Sequence, residues 1–387
     1  MSKKNIEEIG KACVGCRSCE QVCPVQCIEF RTDEDGFLYP NIDEEKCVQC
    51  GKCLAHCPAK KENKKQYPIS IYGVKNKNRE RLLRSASGGA SDLAAQYILA
   101  ENGVVFGCAY EEKLKVGHIE VAKEKDLCQI QSSKYVQSNL KNCYTIVKER
   151  LDEGKKVLFT GTPCQIAGLY AFIGEGNKEN LYTLDLICHG VPSPLFFEKY
   201  LKYQEDKLGE PIESYNFRSK EKRGWGTQYQ IRTQNHVKQN KLSLDKYGKH
   251  FMAGDCYREC CYQCEYSCME RISDLTCGDF WGVEKSHPEF MDSSGVSVVL
   301  VNTKHGEQLL EKMSEFADIV KASVNEILPY QGNLVRPTKR TEKRDGFYKN
   351  INSPYFVKEL KVGLHPKEWI KSLLPQKIIL KVKSRLK

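Results

Sequence analysis

Eight of the chain's 20 cysteines fall into two copies of one spacing. The first is Cys13-x2-Cys16-x2-Cys19-x3-Cys23 before Pro24, and the second is Cys47-x2-Cys50-x2-Cys53-x3-Cys57 before Pro58. Three thiolates at steps of three fit three irons of one cube within a short loop. The proline then turns the chain away, so the fourth cysteine reaches a second cube. The runs predict two 4Fe–4S clusters, one on Cys13, Cys16, Cys19 and Cys57, the other on Cys47, Cys50, Cys53 and Cys23. Zinc is the rival chemistry, because Cys-x2-Cys pairs also bind it, but zinc takes its four ligands as two pairs. Cys27, in the apolar stretch 25–30, reads as a small buried residue rather than a ligand. Two clusters this near each other exchange electrons, so the expected chemistry is electron transfer.

A second set of cysteines is scattered. Cys164 lies in Gly161-Thr162-Pro163-Cys164-Gln165, after an expected strand at 157–160, and Cys188 opens Cys188-His189-Gly190-Val191-Pro192-Ser193, after another at 181–187. Both should emerge at the carboxyl edge of a sheet, where open α/β folds place their sites. Both also adjoin a helix N-terminus, whose dipole favours a thiolate. Further on come Cys256, Cys260, Cys261, Cys264, Cys268 and Cys277. Cys261-x2-Cys264 is the metal-type pair that completes four ligands, although Cys256, Cys260, Cys268 or Cys277 could substitute and a zinc knuckle fits the same stretch. Cys108, Cys128 and Cys143 read as structural. His189, beside one proposed ligand, could move a proton or simply hydrogen-bond a cluster or carbonyl. Arg218, Lys220, Lys222 and Arg223, before Gly224-Trp225-Gly226, read as a solvated basic loop or as a receiver for an anionic substrate.

These residues need elements to position them. Residues 1–60 form the cysteine-run module, with a hairpin turn at Asp35-Gly36. A polar linker, 61–68, ends at Pro68. Strands are expected at 69–74, 104–109, 157–160, 181–187, 281–283 and 296–302, separated by helices at 93–100, 140–151, 165–173, 194–204 and 306–316. That alternation predicts an α/β domain with a mainly parallel sheet, in parts 69–155 and 156–330, so the whole chain is α+β. Residues 1–10 are polar, without a signal-peptide core, and the chain holds no apolar run of membrane-spanning length. So many cysteines without an export signal argue for a reducing compartment, and the cytoplasm is expected.

The basic excess sits at one end. Residues 336–387 carry a net charge of +11 against +10 for the entire chain. In the tail, 331–387, the side chains Trp369, Ile370, Leu373 and Leu374 recur at helical spacing, as do Ile378, Ile379 and Val382 beyond Pro375. Such a segment suits the anionic inner face of a membrane or an acidic partner, or packs its apolar edge on its own domain. No recognition motif accompanies the charge, so nucleic acid is not expected.

Residues 161–165 and 188–193, Ser87-Gly88-Gly89-Ala90, Ser132-Ser133-Lys134-Tyr135, and the Cys261/Cys264 pair running into 278–282 resemble the coenzyme F(420) hydrogenase/dehydrogenase beta-subunit family. The resemblance covers about 69–330, with a bacterial-type 2×4Fe–4S ferredoxin domain in front. It implies a third 4Fe–4S cluster on Cys164, Cys188, Cys261 and Cys264. It also implies a flavin, usually FAD, against Ser87, Gly88, Gly89, Ser133, Lys134 and Tyr135. Glycines at a helix start let backbone amides approach a phosphate or ring, although the same residues also cap helices. A nearby lysine can neutralise a pyrophosphate or a reduced flavin. The expectation is an iron–sulfur flavoprotein oxidoreductase that takes electrons from a redox partner, a ferredoxin or reductase, and acts on a small molecule. The alternative is an electron-transfer module serving a partner protein. The deazaflavin coenzyme itself is not the default substrate.

Overall fold

The computed structural model describes residues 5–176, 178–363, 374, 378, 379 and 382. In the N-terminal module the Asp33 carboxylate accepts the backbone N–H groups of Asp35 (3.1 Å) and Phe37 (2.9 Å). This closes the expected hairpin between β1 (Ile28–Thr32) and β2 (Leu38–Ile42). Ile6, Ile9, Ile28 and Ile42 bury against Cys19, Cys27 and Cys57. So small an apolar core leaves a module of this size dependent on metal cross-links.

The module does not hang free. Cys16 packs on the helix Pro163–Ile173 at Gly168, where an added Cβ would come 2.6 Å from the Cys16 Cβ. Arg17 Nη1 donates to Asn139 Oδ1 at 2.5 Å, and Gln21 Oε1 accepts the Thr145 N–H at 3.0 Å. The expected linker is pinned as well. Gln66 exchanges backbone hydrogen bonds of 2.9 and 2.8 Å with Arg271, and Asn63 Nδ2 donates to the Tyr266 hydroxyl at 3.0 Å.

The strands that follow are β3 (Ser70–Asn76), β4 (Val104–Tyr110), β5 (Val116–Val121), β6 (Val157–Gly161) and β7 (Leu181–Leu186). Next come β8 (Ser214–Asn216), β9 (Gln228–Arg232) and β10 (Val237–Lys241), which form a small antiparallel sheet of their own. β11 (Leu275–Asp279), β12 (Ser297–Val301) and β13 (Ala317–Ala322) complete an eight-stranded sheet of order β13-β3-β12-β11-β7-β6-β4-β5. Only β4–β6, β6–β7 and β7–β11 pair in parallel, so the sheet is mixed and not mainly parallel. One reason is length: the turn between β4 and β5 is too short for a crossover and must reverse the chain.

No strand forms at 281–283. Phe280 is buried past the end of β11, and Gly282 (φ +91) starts the one-turn helix Val283–Ser286. Alternate residues of the central strands face opposite covers. Val105 and Leu158 meet the helices Ala90–Ala100 and Lys304–Ser314, while Val104, Phe106, Val157 and Phe159 meet Cys143–Asp152 and Pro163–Ile173.

Part of the expected basic tail is core. Phe347, Tyr348 and Phe356 pack edge-on against Phe196 of the helix Pro194–Leu208, and Arg344 Nη2 reaches Asp35 of the module at 2.9 Å. Trp369, Ile370 and Leu373 lie outside the described residues. Leu374, Ile378 and Val382 are exposed. No helix among the described residues is long and apolar enough to cross a membrane.

Candidate functional site

The cysteines gather into three groups. Cys23, Cys47, Cys50 and Cys53 line a shallow recess at the outer end of the module. Cys50 is exposed there, beside Val48. Cys27 is buried, and its backbone N–H lies 3.4 Å from the Cys23 sulfur. Cys13, Cys16, Cys19 and Cys57 form the inner group. Burial first, then mutual repulsion, pushes the Cys16 and Cys19 thiols well up, and burial raises Cys57 to about 11. Thiols crowded in this way stay protonated until iron binding makes the thiolates favourable.

The third group is assembled from distant segments. Gly161 at the end of β6 pairs with Asp185 on β7, so Cys164 and Cys188 emerge side by side at the carboxyl edge of two parallel strands. Cys164 sits in the first turn of Pro163–Ile173, whose start is fixed by the Thr162/Gln165 capping box, and its sulfur lies 3.2 Å from Thr162 Oγ1. The turn Glu259–Gln263 brings Cys261 and Cys264 to the same place. Burial, followed by repulsion from Cys264, lifts Cys188 to about 12.

Among the alternatives, Cys260 is drawn in: it interacts with Cys164 and Cys264 on one side and with Cys13 of the module on the other. Cys268 instead donates to the Glu265 and Glu270 carbonyls, and Cys256 and Cys277 are buried among other neighbours. Among the described residues no three His, Cys, Asp or Glu side chains meet closely enough to share a single metal ion. Arg271, paired with Asp185 at 2.9 Å and donating to the Tyr266 carbonyl at 2.7 Å, braces the third group and lowers the Cys188 and Cys264 thiols against their burial.

The segments expected to face a flavin converge on an ion pair that the sequence reading undervalued. Arg218 is buried, not solvated, and makes a bidentate pair with Asp279 (2.6 and 2.7 Å) at the end of β11. The same guanidinium donates to the Tyr135 hydroxyl and to the Ala86 carbonyl, both at 3.0 Å. Trp225 Nε1 donates to Asp279 at 2.6 Å and its ring stacks on Trp281 at 4.7 Å. Lys220 is buried too, donating to the Leu82 and Ser87 carbonyls at 2.7 Å. The four expected basic residues therefore divide, with Arg218 and Lys220 serving as internal struts. The Gly224-Trp225-Gly226 motif beside them was the available signal, since it reads poorly as a solvent loop.

Ser87 Oγ donates to the Val296 carbonyl, and Gly88 fits where an added Cβ would come 2.1 Å from the Val74 carbonyl oxygen. Gly89 caps the helix Ala90–Ala100, whose first turn already holds the buried Asp92 paired with Arg81. This loop is thus tied to the sheet. The turn at Ser133, Lys134 and Tyr135 is less enclosed. Tyr135 stacks on Phe251 at 4.5 Å, and Lys134 Nζ donates to the Gln129 and Gln131 carbonyls. Burial lowers Lys134 to about 8. His189 is exposed to solvent but ringed by protein. Desolvation lowers its pKa, Asp279 raises it and Arg218 lowers it, so the imidazole faces the same ion pair.

A module carrying two ferredoxin-type cysteine runs is docked on a mixed α/β sheet whose edge gathers further cysteines, a donor set that suits iron–sulfur clusters. Residues 154–326 match the family described as coenzyme F420 hydrogenase/dehydrogenase, C terminus of the beta subunit, and residues 12–61 and 39–85 match 4Fe-4S dicluster domains. Residues 154–326 are thus similar to the C-terminal domain of that beta-subunit family, with a module similar to two-cluster 4Fe–4S domains in front of them.

Its module is similar to the B subunit of an ion-translocating oxidoreductase complex from Methanosarcina acetivorans, 47% identical over 57 residues, 15% of this chain and 19% of that protein. It is also similar to the formate dehydrogenase iron-sulfur subunit of Wolinella succinogenes, 47% identical over 49 residues, 12% of this chain and 22% of that protein. The chain spans about a fifth of the length of these curated relatives. An uncharacterized protein of Methanocaldococcus jannaschii is 26% identical over 211 residues, 46% of this chain and 58% of that one. Among solved structures, a chain of the F420-reducing [NiFe] hydrogenase complex from Methanosarcina barkeri aligns with a TM-score of 0.46 and 16% identity, covering 75% of this chain and 89% of that chain.

Proposed function

We propose that this chain is an iron–sulfur flavoprotein oxidoreductase with three 4Fe–4S sites and one flavin site. In this reading Cys23, Cys47, Cys50 and Cys53 hold the outermost cluster, and Cys13, Cys16, Cys19 and Cys57 the middle one. Cys164, Cys188, Cys261 and Cys264 hold the third, at the sheet edge. The observation that carries it is the seam between the groups: Cys16 packs on Gly168 of the helix that bears Cys164, and Arg258, beside Cys260 and Cys261 in sequence, donates through Nε to the Cys13 carbonyl at 2.6 Å. Clusters bound there supply one-electron carriers, and a bound flavin supplies exchange between one-electron and two-electron chemistry.

The flavin, FAD by family, is assigned to Ser133, Lys134 and Tyr135 with the Ser87-Gly88-Gly89 loop behind them. The Tyr135 ring offers a flat partner, and Lys134 a cation for an anionic ligand. His189, whose pKa desolvation lowers, is the group assigned to hand over or accept a proton beside a small-molecule substrate.

Anaerobic purification with iron, sulfide and flavin analysis tests the reading. About twelve irons and one flavin per chain are expected, whereas eight irons without flavin would leave only the module standing. A second reading, a relay serving a partner protein, is favoured by the exposed Val48 and Cys50 at the outer recess. It predicts that no small acceptor alone reoxidises the reduced chain at a useful rate. The charge of residues 336–387 extends either reading to an anionic membrane or acidic partner, which co-sedimentation with anionic vesicles checks.

A further inference from the structure

Four arginines are nearly or fully buried: Arg218, Arg258, Arg271 and Arg344. Three have a carboxylate partner, namely Asp279, Asp185 and Asp35 respectively. Arg258, fully buried, has none among the described residues. Its Nε donates to the Cys13 carbonyl at 2.6 Å and its Nη1 to Gln137 Oε1 at 3.2 Å, while Nη2 has no hydrogen-bond partner. The guanidinium lies 3.8 Å from the centre of the Tyr39 ring. Its charge bears on the sulfurs of Cys13, Cys260 and Cys261.

A buried cation without a counter-charge is strongly destabilising, so something anionic must compensate it. The groups available on both sides are cysteines. Arg258 also sits at the seam between two chain segments: its side chain reaches the module, while its backbone N–H donates to the Val191 carbonyl just after Cys188. Its carbonyl accepts the Cys261 N–H at 2.9 Å, which places the guanidinium at the base of the third group.

We propose that Arg258 is the electrostatic link between the middle and third cysteine groups, a positioning residue whose charge sets the potentials of both together. The proposal rests on reading both groups as cluster sites. A fixed cation beside a site that gains an electron favours the reduced state, so its removal lowers the midpoint potential.

The test compares anaerobically purified wild type with Arg258→Met by iron count and by redox titration followed by electron paramagnetic resonance. Iron content should hold. Two midpoint potentials should fall together, the third, belonging to Cys23, Cys47, Cys50 and Cys53, should not move, and Arg258→Lys should restore both. If Arg258→Met loses iron, Arg258→Gln, which keeps a donor without charge, is titrated in its place. No movement, or movement of only one potential, overturns the link while leaving the three-cluster reading intact. A wild type with eight irons overturns that reading and the link with it.

Discussion

The two cysteine groups of the module and the group at the sheet edge differ in how they come into being. Each module run is written within a dozen residues, and the pair shares a small core of Ile6, Ile9, Ile28 and Ile42. The third group draws on the loops after β6 and β7 and on a turn some seventy residues later. It exists only while β6 and β7 stay in register and Arg271 stays paired with Asp185. A locally encoded site survives loosening of the rest of the chain. An assembled site reports on the whole fold.

The sharpest way to break this contrast is Asp185→Ala. It strands Arg271 as a buried, unpaired charge, at a cost of about 3–5 kcal/mol. Denaturant unfolding should show that loss, and iron analysis should find the third group's share gone with the module's eight irons kept. Loss of all iron would mean that the module depends on the domain more than its own core suggests. Cys164→Ala makes the same cut with less damage to the fold. About four irons should leave, and an unchanged count would remove Cys164 from the ligand set.

Gly168→Val attacks the seam instead. An added Cβ at Gly168 would come 2.9 Å from the Cys16 sulfur, so the larger side chain wedges the module away, costing about 1–3 kcal/mol. All three groups should keep their iron, while proteolysis within 61–68 should quicken as Gln66 loses its hold on Arg271. An unchanged cleavage rate would mean that the Arg17, Gln21 and Arg344 contacts suffice to hold the module in place.

The same contrast decided what the sequence could tell. The module was legible because cluster spacing and the Asp35-Gly36 turn are local features. β6 and β7 were legible because buried parallel strands read as continuous apolar runs. What escaped depends on partners far along the chain. β5, β10 and β13 carry charged residues at or near sheet edges, where no apolar alternation marks them. Arg218 and Lys220 looked like solvent residues because nothing near them in sequence announces Asp279 or the Leu82 and Ser87 carbonyls. Cys260 could be named as a substitute ligand, yet its closeness to Cys13 follows only from how the module docks.

Lys220 gives the gentlest test, through pH. Burial first, then the nearby Arg218, lowers its pKa from the ordinary 10.5 to about 7, against the opposing pull of Asp279 and Asp292. The unfolded chain holds that proton up to about pH 10.5, whereas the folded chain releases it above about 7. Over that window the unfolded state binds more protons, so stability rises with pH, by on the order of a few kcal/mol across the whole span. Below the folded pKa both states are protonated and this contribution to the slope vanishes. Lys220→Met removes the titrating group, so its urea midpoint should climb less than that of wild type between neutral pH and about two units higher. Equal slopes in the two proteins would show that Lys220 keeps its proton in the fold. Its bonds to the Leu82 and Ser87 carbonyls would then be those of an ammonium that Asp279 and Asp292 help to neutralise. Because Lys220 braces the assembled region and not the module, the pH-dependent step should be the loss of the sheet-edge group, with the module's two clusters indifferent to it.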